Sequence, residues 1–395
     1  MLSVPALLVV RGDGSHAELA PGHVVYLWAG DDRTNQGARP GSIRAALEDA
    51  RDELLAIRPD GVCVHGSPSQ LLARGEDGAT ALEWVAAELR GLLPGVRLWV
   101  GVGCDGWVDD WRAGRATEAQ VLQPLQRCAA LASGTGAEAI VWNAETAWKH
   151  AASDKRTRAE LDALARRFVA SVTKIAARAV HVVSSFDHVG FHMALPFDAL
   201  LSGNVAAFTA QNYVARAGDA PPRGLLKGRI GSAAKSIESA RQQQKFPADE
   251  RGPDGVDASH EDVDVFSTVQ LHGTDALDLA RELAEAPLVL SWSVPMVREG
   301  GRADARGLEA ARVARVIRAA GAGPGAVRRY QEASSGALRV DGVLGPRTMA
   351  SLGALSADGV RMRILAQRLR FMAGLPNWPA FSRGWARRIC DLLEE

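Results

Sequence analysis

Short runs of apolar residues alternate along this chain with longer segments in which apolar residues recur every three or four positions. The short runs are nearly continuous rather than strictly alternating, which is typical of strands covered on both sides. They predict eight strands, at residues 23–29, 61–66, 97–102, 139–143, 181–186, 206–213, 263–271 and 288–294.

The longer segments predict amphipathic helices between these strands. Ser42 is a good N-cap for the first of them, and Pro94-Gly95 is a stop signal for the second. The predicted helices span residues 42–57, 79–93, 117–132, 157–177, 224–243, 276–286 and 307–320, with a shorter segment at 196–201.

Eight strand–helix units in series, with no repeated hairpin signal, predict a closed barrel of parallel strands. The alternative is an open doubly wound sheet, which usually has a glycine-rich phosphate loop after its first strand. Residues 28–42 follow the first strand here and lack that pattern. We therefore predict an α/β fold, with a (β/α)8 TIM barrel over residues 1–321 and a small all-α domain over residues 322–395.

The charge of the chain is balanced overall but is distributed unevenly. The chain has 46 basic and 46 acidic residues, whereas residues 321–395 hold eleven arginines, no lysine and six acids. A basic tail on an acidic body suits a module that meets an anionic polymer. An arginine-rich solvated helical surface is the alternative. No Lys/Arg run indicates nucleic acid, so we expect no nucleic-acid partner.

The four cysteines and the N-terminal segment narrow the class of protein further. Cys63, Cys104, Cys128 and Cys390 have no zinc-like spacing, which predicts free buried thiols and no bound metal or cofactor. The apolar run at residues 4–10 lacks a basic segment before it, and no apolar stretch approaches 18 residues. We expect a protein made in the cytoplasm without a signal peptide and without membrane insertion.

Polar residues follow several predicted strands, at the end of a barrel where active sites lie. Asn143 and Glu145 are two positions apart on the fourth strand, so their side chains point the same way. The other strand-end candidates are Asp187, Gln211, Asn212, Tyr213, Gln270 and His272. We expect these side chains to line one site.

Tryptophans are concentrated at the same strand ends. Indole offers a flat face on which the C–H face of a sugar ring can stack. The predicted sugar-contacting residues are Trp28, Trp107, Trp142, Trp148 and Trp292. The alternative for each is a place in the hydrophobic core. A cluster of tryptophans beside acids favours a carbohydrate cleft.

Cleavage of a glycosidic bond needs a carboxylic acid that protonates the leaving oxygen and a second group at the anomeric carbon. A 2-acetamido group of the substrate can serve as that second group if a neighbouring amide or carboxylate orients it. Asn143 and Glu145 have this arrangement. The structural alternative is that Glu145 pairs with Lys149 or Arg156.

The barrel resembles substrate-assisted glycosidases. Family-18 chitinases carry Asp-x-Glu on strand four, a Tyr after strand six and a Trp on strand eight, and family-85 endo-β-N-acetylglucosaminidases carry Asn-x-Glu on strand four. The resemblance implies that Glu145 is the general acid/base, that Asn143 and Tyr213 bind the acetamido group, and that Trp292 floors the pocket. Ile140, Val141 and Trp142 stand where the chitinase motif has further acids.

Family-25 muramidases offer another comparison, because they use an additional aspartate. By that comparison Asp187 or Asp31 would be a further catalytic acid.

The C-terminal domain resembles two wall-binding patterns. Residues 326–352 read A-V-R-R-Y-Q and later D-G-V-L-G-P-R-T, similar to a peptidoglycan-binding module with V-R-x-L-Q and D-G-x-x-G-P-x-T. Residues 368–389 are similar to the C-terminal module of phage-type family-108 lysozymes. That resemblance implies that Trp378, Phe381, Trp385 and Arg388 bind the wall, although the aromatic residues also have the helical spacing of a core.

These observations favour a peptidoglycan hydrolase of muramidase or N-acetylglucosaminidase type. Bacterial peptidoglycan would be its partner, and the protein would act on the wall as an endolysin or within a phage-like particle. Two alternatives stay open. One is an inactive wall-binding structural component of such a particle, and the other is an amidase or peptidase using Cys104 with Asp105 and His188.

Overall fold

A computed structural model describes residues 7–10, 16–19, 22–28, 43–186, 192, 194–211, 264–270, 288–292, 311–318, 325–334, 336–353, 355 and 357–373. The predicted helices at 224–243 and 276–286 lie outside the described residues. The chain divides into two compact units. One comprises Pro5–Thr274 with Leu288–Leu308, and the other comprises Met1–Val4, Asp275–Pro287 and Glu309–Glu395.

The first unit is a closed barrel of eight parallel strands, as the sequence predicts. A preceding antiparallel hairpin supplies β1 (Leu7–Val10) and β2 (His16–Leu19), which the apolar pattern did not indicate. The barrel strands follow in chain order and pair in that order, with the last closing on the first: β3 (Gly22–Trp28), β4 (Gly61–Gly66), β5 (Arg97–Gly103), β6 (Ala139–Asn143), β7 (Val180–Phe186), β8 (Val205–Gln211), β9 (Asp264–Gln270) and β10 (Leu288–Trp292).

Helices that begin at capping residues surround the strands. Thr80, Thr117 and Thr157 each accept a hydrogen bond from the third helical residue, whose Glu or Gln side chain reaches back to the cap. These caps place the helix starts within two residues of the predicted ones. The described helices of this unit are α1 (Ile43–Ile57), α2 (Pro68–Leu72), α3 (Ala81–Leu92), α4 (Val108–Arg112), α5 (Glu118–Gly134), α6 (Arg158–Ile175) and α7 (Phe197–Leu200).

The barrel interior and its outer face are occupied by alternate residues of each strand. Tyr26, Cys63, Trp99 and Val141 share one buried cluster inside the barrel, and Leu19 of the hairpin joins it. The intervening positions face the helices. This alternation decides which side chains at the strand ends point into the barrel mouth.

Trp142 is an example of a residue on the outer face of the barrel, where side chains contact the surrounding helices. Its Nε1 donates to His181 Nδ1 at 3.0 Å, and its ring meets Phe168 of α6 edge-on at 5.2 Å. His181 Nδ1 is therefore the acceptor, so its Nε2 donates to Ala176 O at 3.1 Å. A tryptophan in this position supports the barrel from the helix side.

The described part of the second unit contains the helices α8 (Ala326–Ala333), α9 (Pro346–Gly353) and α10 (Ala357–Ala373). Residues 311–318 are also helical. Val327, Tyr330 and Leu352 are fully buried, so they form part of the interior of this unit.

Gln331 connects the two halves of the first wall-binding pattern. Its Oε1 accepts from Gly342 N at 2.7 Å and from Asp341 N at 3.2 Å. Its Nε2 donates to Asp341 Oδ1 and Val343 O, both at 2.9 Å, and to Thr348 Oγ1 at 3.3 Å. The Gln, Asp-Gly and Thr of the pattern are thus one hydrogen-bonded unit that shapes the loop.

The described residues also bear on the predictions about the cysteines and about membrane-spanning helices. Cys63, Cys104 and Cys128 are free and buried, as predicted. Within the described ranges, no helix is long and apolar enough to cross a bilayer.

Candidate active site

Three side chains from two strands meet at the carboxyl end of the barrel. Asn143 ends β6 and Gln211 ends β8, and both lie on the inward-facing side of their strands. Asn143 Nδ2 donates to Glu145 Oε1 at 2.8 Å. Gln211 Nε2 donates to Glu145 Oε1 at 2.7 Å and to Asn143 Oδ1 at 2.8 Å. The structure therefore brings these three predicted site residues together.

These contacts distinguish the two oxygens of the Glu145 carboxyl group. Oε1 accepts two amide hydrogens, which favours it as the unprotonated oxygen. No hydrogen bond from the described residues reaches Oε2. Glu145 and Asn143 are both partly exposed. The acidic proton would therefore reside on Oε2, on a group that solvent can reach.

The loop after β6 is held from several directions. Asp105 Oδ1 accepts from Glu145 N at 3.0 Å, and its Oδ2 accepts from Ala147 N at 3.5 Å. Arg112 NH1 donates to Ala147 O at 2.7 Å, and Ser185 Oγ donates to Ala144 O at 2.6 Å. A short 3-10 turn, Thr146–Trp148, follows directly. Glu145 thus leaves the strand on a fixed backbone.

Asp105 is a carboxyl group whose pKa this environment alters. Burial raises its pKa to about 6, and the nearby charges of Glu145 and Asp109 raise it as well. The amide hydrogens of Glu145 and Ala147 act in the opposite direction. The sequence showed Asp105 directly after strand β5 but gave no sign of its contact with the Glu145 backbone, since 40 residues separate them.

A second cluster, formed by Lys149, Phe186 and His192, adjoins Gln211 of the site. The Lys149 ammonium sits 3.9 Å from the centre of the Phe186 ring, and that ring stacks on His192 at 4.2 Å. Phe186 and Gln211 are register partners on β7 and β8. Glu145 makes no ion pair with Lys149 or Arg156. Arg156 pairs with Glu160 at 3.2 Å instead, and the Lys149 ammonium lies over the Phe186 ring. The salt-bridge alternative for Glu145 is therefore wrong.

The predicted tryptophan groove is partly wrong. Trp142 and Trp148 are 1% and 0% exposed, so neither can stack on a sugar. Trp142 fails because it alternates with Asn143 and faces the helices, and Trp148 fails because its Nε1 binds Cys104 O at 3.2 Å inside the core. Trp107 is 45% exposed, and Trp28 is partly exposed at the end of β3.

The remaining predicted residues fall into two groups. Gln270 and Trp292 are the last residues of β9 and β10. The others lie outside the described residues, namely Asp31, Asp187, His188, Asn212, Tyr213, His272, Trp378, Phe381, Trp385 and Arg388. Their roles remain predictions.

Cysteine chemistry at Cys104 is disfavoured. The thiol is 2% exposed and donates to Val102 O, and burial raises its pKa well above the usual value. A protonated, inaccessible thiol is a poor nucleophile. Within the part of the chain that the structure describes, no group of three His, Cys, Asp or Glu residues is placed to hold a metal ion.

The similarities found between this chain and known proteins are similarities of three-dimensional structure. No family model and no curated protein matches this chain. A family GH18 chitinase from Cycas revoluta in complex with allosamidin is 11% identical, with a TM-score of 0.47 over 74% of this chain and 99% of that one.

An endo-β-N-acetylglucosaminidase from Cordyceps militaris is 9% identical, with a TM-score of 0.38 over 76% and 91% of the two chains. A family 39 glycoside hydrolase from Bacteroides cellulosilyticus is 8% identical, with a TM-score of 0.42 over 75% and 63%. At these values the likeness carries no argument about activity, and the fold assignment depends on the strand order itself.

Proposed function

We propose that this protein is a glycoside hydrolase that cleaves peptidoglycan beside an N-acetylated sugar, with Glu145 as general acid/base. The observation that carries the proposal is the partly exposed Glu145 carboxyl group at the barrel mouth, with Oε1 held by two amides and Oε2 accepting no hydrogen bond from the described residues. A carboxyl group fixed in this way presents one oxygen to a substrate.

The first step would break the glycosidic bond. Glu145 Oε2 gives its proton to the leaving oxygen, while the acetamido oxygen of the substrate bonds to the anomeric carbon and displaces that oxygen. In the second step the Glu145 carboxylate takes a proton from water, the water oxygen bonds to the anomeric carbon, and the acetamido group is released. The net reaction is hydrolysis and needs no cofactor.

Asn143 would orient the acetamido group. Its Nδ2 uses one hydrogen on Glu145, and its Oδ1 uses one lone pair on Gln211. One hydrogen and one lone pair remain available for the substrate amide. Tyr213, Gln270, His272, Asn212 and Trp292 complete the predicted pocket, with Trp28 and Trp107 as sugar platforms and Asp187 as a further acid.

The C-terminal unit would hold the wall. The net charge of +5 on residues 321–395 suits anionic wall polymers, and Gln331 shapes the loop of the peptidoglycan-binding pattern. We propose that the protein acts on the wall as an endolysin or as part of a phage-like particle.

The test is release of reducing sugar from purified peptidoglycan by the wild type and Glu145→Gln. General acid catalysis contributes about 10²–10⁴-fold, so the variant should lose that much activity. Glu138→Gln is the matched control, because Glu138 precedes the same strand at its opposite end and accepts from Trp99 Nε1. Equal activity of wild type and Glu145→Gln would remove Glu145 from the mechanism.

The second candidate is an inactive wall-binding component. The burial of Trp142 and Trp148 favours it, since a groove with fewer aromatic walls holds a glycan less tightly. Wild type that sediments with peptidoglycan but releases no reducing sugar would support this candidate.

A further inference from the structure

Lys149 places a positive charge over Phe186, whose strand neighbour is Gln211 of the proposed site. Its ammonium lies over the Phe186 ring, and Phe186 is the register neighbour of Gln211, whose amide binds Glu145 at 2.7 Å. Strand neighbours in a sheet are about 4.8 Å apart. A chain of direct neighbours therefore links the ammonium to the carboxyl group at the barrel mouth.

This cation has no carboxylate partner among the described residues. The nearby cations Arg112 and Arg156 are engaged by Asp109, Asp154 and Glu160. The partner that the structure gives Lys149 is an aromatic face, which attracts the ammonium more weakly than a carboxylate would. That leaves the ammonium able to accept an anionic partner from solvent.

Phe186 also restricts the lysine side chain. A lysine side chain that becomes ordered when it binds a ligand loses rotamer freedom, and this loss opposes binding. Because the Phe186 ring already holds the ammonium, and His192 stacks on that ring, part of this ordering precedes any ligand. A preorganised cation binds an anion more tightly than a freely moving one does.

We infer that Lys149 binds a carboxylate carried by the substrate, so that the site prefers a carboxylated N-acetylated glycan over a neutral one. Peptidoglycan differs from chitin in this respect, because alternate sugars bear a lactyl ether with a carboxyl group, which is free where no peptide is attached. The inference rests on the proposed function and adds the substrate class that the barrel selects.

The test measures binding separately from cleavage. In the Glu145→Gln background, which prevents turnover, calorimetry compares two tetrasaccharides: chitotetraose and the peptide-free alternating N-acetylglucosamine–N-acetylmuramic acid chain. We expect the carboxylated glycan to bind about tenfold more tightly, which corresponds to one charge-assisted contact. Raising the salt concentration should reduce this preference.

Three lysine variants in that background assign the preference to a residue. Lys149→Met keeps the length of the side chain over Phe186, and it should equalise the two affinities while changing that for chitotetraose less than about twofold. Lys149→Arg should keep most of the preference. Lys155→Met is the matched control, because Lys155 is exposed and its backbone amide binds Arg112 O, and it should leave the preference intact.

Several outcomes would overturn the inference: equal affinities in the background variant, a preference that survives Lys149→Met, or no binding of either glycan. Wild-type cleavage is measured in parallel. A protein that shows the preference but releases no reducing sugar would refute the proposed hydrolase and support the carboxylate site. A protein that cleaves both glycans without preference would support the proposed hydrolase and refute the carboxylate site.

Discussion

Gln211 Nε2 lies 2.7 Å from Glu145 Oε1, although 66 residues separate the two positions in the chain. The contact exists because β6 and β8 end at the same rim of the barrel with both side chains on the inward-facing side. Gln211 therefore fixes the carboxyl group rather than serving only as a polar residue of the pocket wall.

Replacing Gln211 should impair catalysis more than folding. Gln211→Ala removes one of the two donors to Oε1 and frees the carboxyl group to rotate, so we expect kcat to fall by about tenfold to a hundredfold. The free energy of unfolding should fall by about 1–2 kcal/mol. Gln120→Ala is the control, because it also removes hydrogen bonds of a glutamine side chain but at the α5 cap, away from the site. Equal kcat losses in both variants would contradict a role for Gln211 in positioning.

Asp105 should make stability depend on pH between about 4 and 6. Its folded pKa of about 6 exceeds the unfolded value, so the folded chain keeps a proton that the unfolded chain has lost. This contribution is fully present below about pH 4 and is lost as the pH rises through 6. Wild type should therefore lose up to about 3 kcal/mol relative to Asp105→Asn over this interval, as measured by chemical denaturation.

A matched aspartate should behave in the opposite way. Hydrogen bonds from Arg44 lower the pKa of Asp77. Its contribution is present above the unfolded pKa and is lost as the pH falls, so Asp77→Asn should reverse the sign of the difference. A flat comparison between wild type and Asp105→Asn would contradict the raised pKa of Asp105.

Substitutions of Trp142 and Trp107 should have different effects: the first should lower stability, and the second should weaken glycan binding. Trp142→Phe removes the bond to His181 and leaves a cavity, so unfolding should become easier by about 1–3 kcal/mol with KM unchanged. Trp107→Ala should leave the melting temperature within about 2 °C and raise KM severalfold, because the ring is 45% exposed and available for stacking. An unchanged KM in Trp107→Ala would exclude it as a sugar platform.

Gln331→Ala should unfold the loop of the C-terminal unit. The side chain is 1% exposed and accepts hydrogen bonds from the backbone amides of Asp341 and Gly342, so its loss should cost about 1–3 kcal/mol. We expect a lower calorimetric transition and weaker sedimentation with peptidoglycan. Gln367→Ala on α10 is the control and should change neither measurement. Full sedimentation by Gln331→Ala with a lowered transition would assign wall binding to another surface.

The strands and most helix boundaries could be predicted from the sequence, because residues within each element specify them. Near-continuous apolar runs marked all eight barrel strands, and Thr117 and Thr157 begin helices at the predicted positions. The short helices α2 and α4 and the N-terminal hairpin were missed, since a few residues carry too little periodicity to predict an element. Leu19 shows that even the hairpin contributes to the barrel core.

The site was only partly accessible from the sequence. The two-residue spacing of Asn143 and Glu145 predicted their common direction, and the Nδ2–Oε1 bond confirms it. The same alternation excluded Trp142 from the groove, although the clustering of tryptophans had suggested it. Phe186 and Lys149 gave no signal because neither belongs to a motif.

The sequence by itself determined the barrel, because burial on both faces imposes a pattern that repeats within each strand and helix. It also determined which residues stand at strand ends. Only the tertiary structure decided that Gln211 holds Glu145, that Asp105 holds its backbone, and that Lys149 lies over the Phe186 ring. These contacts join residues that are far apart in the chain. They form only when the barrel closes, so the spacing of residues within one strand or helix does not predict them.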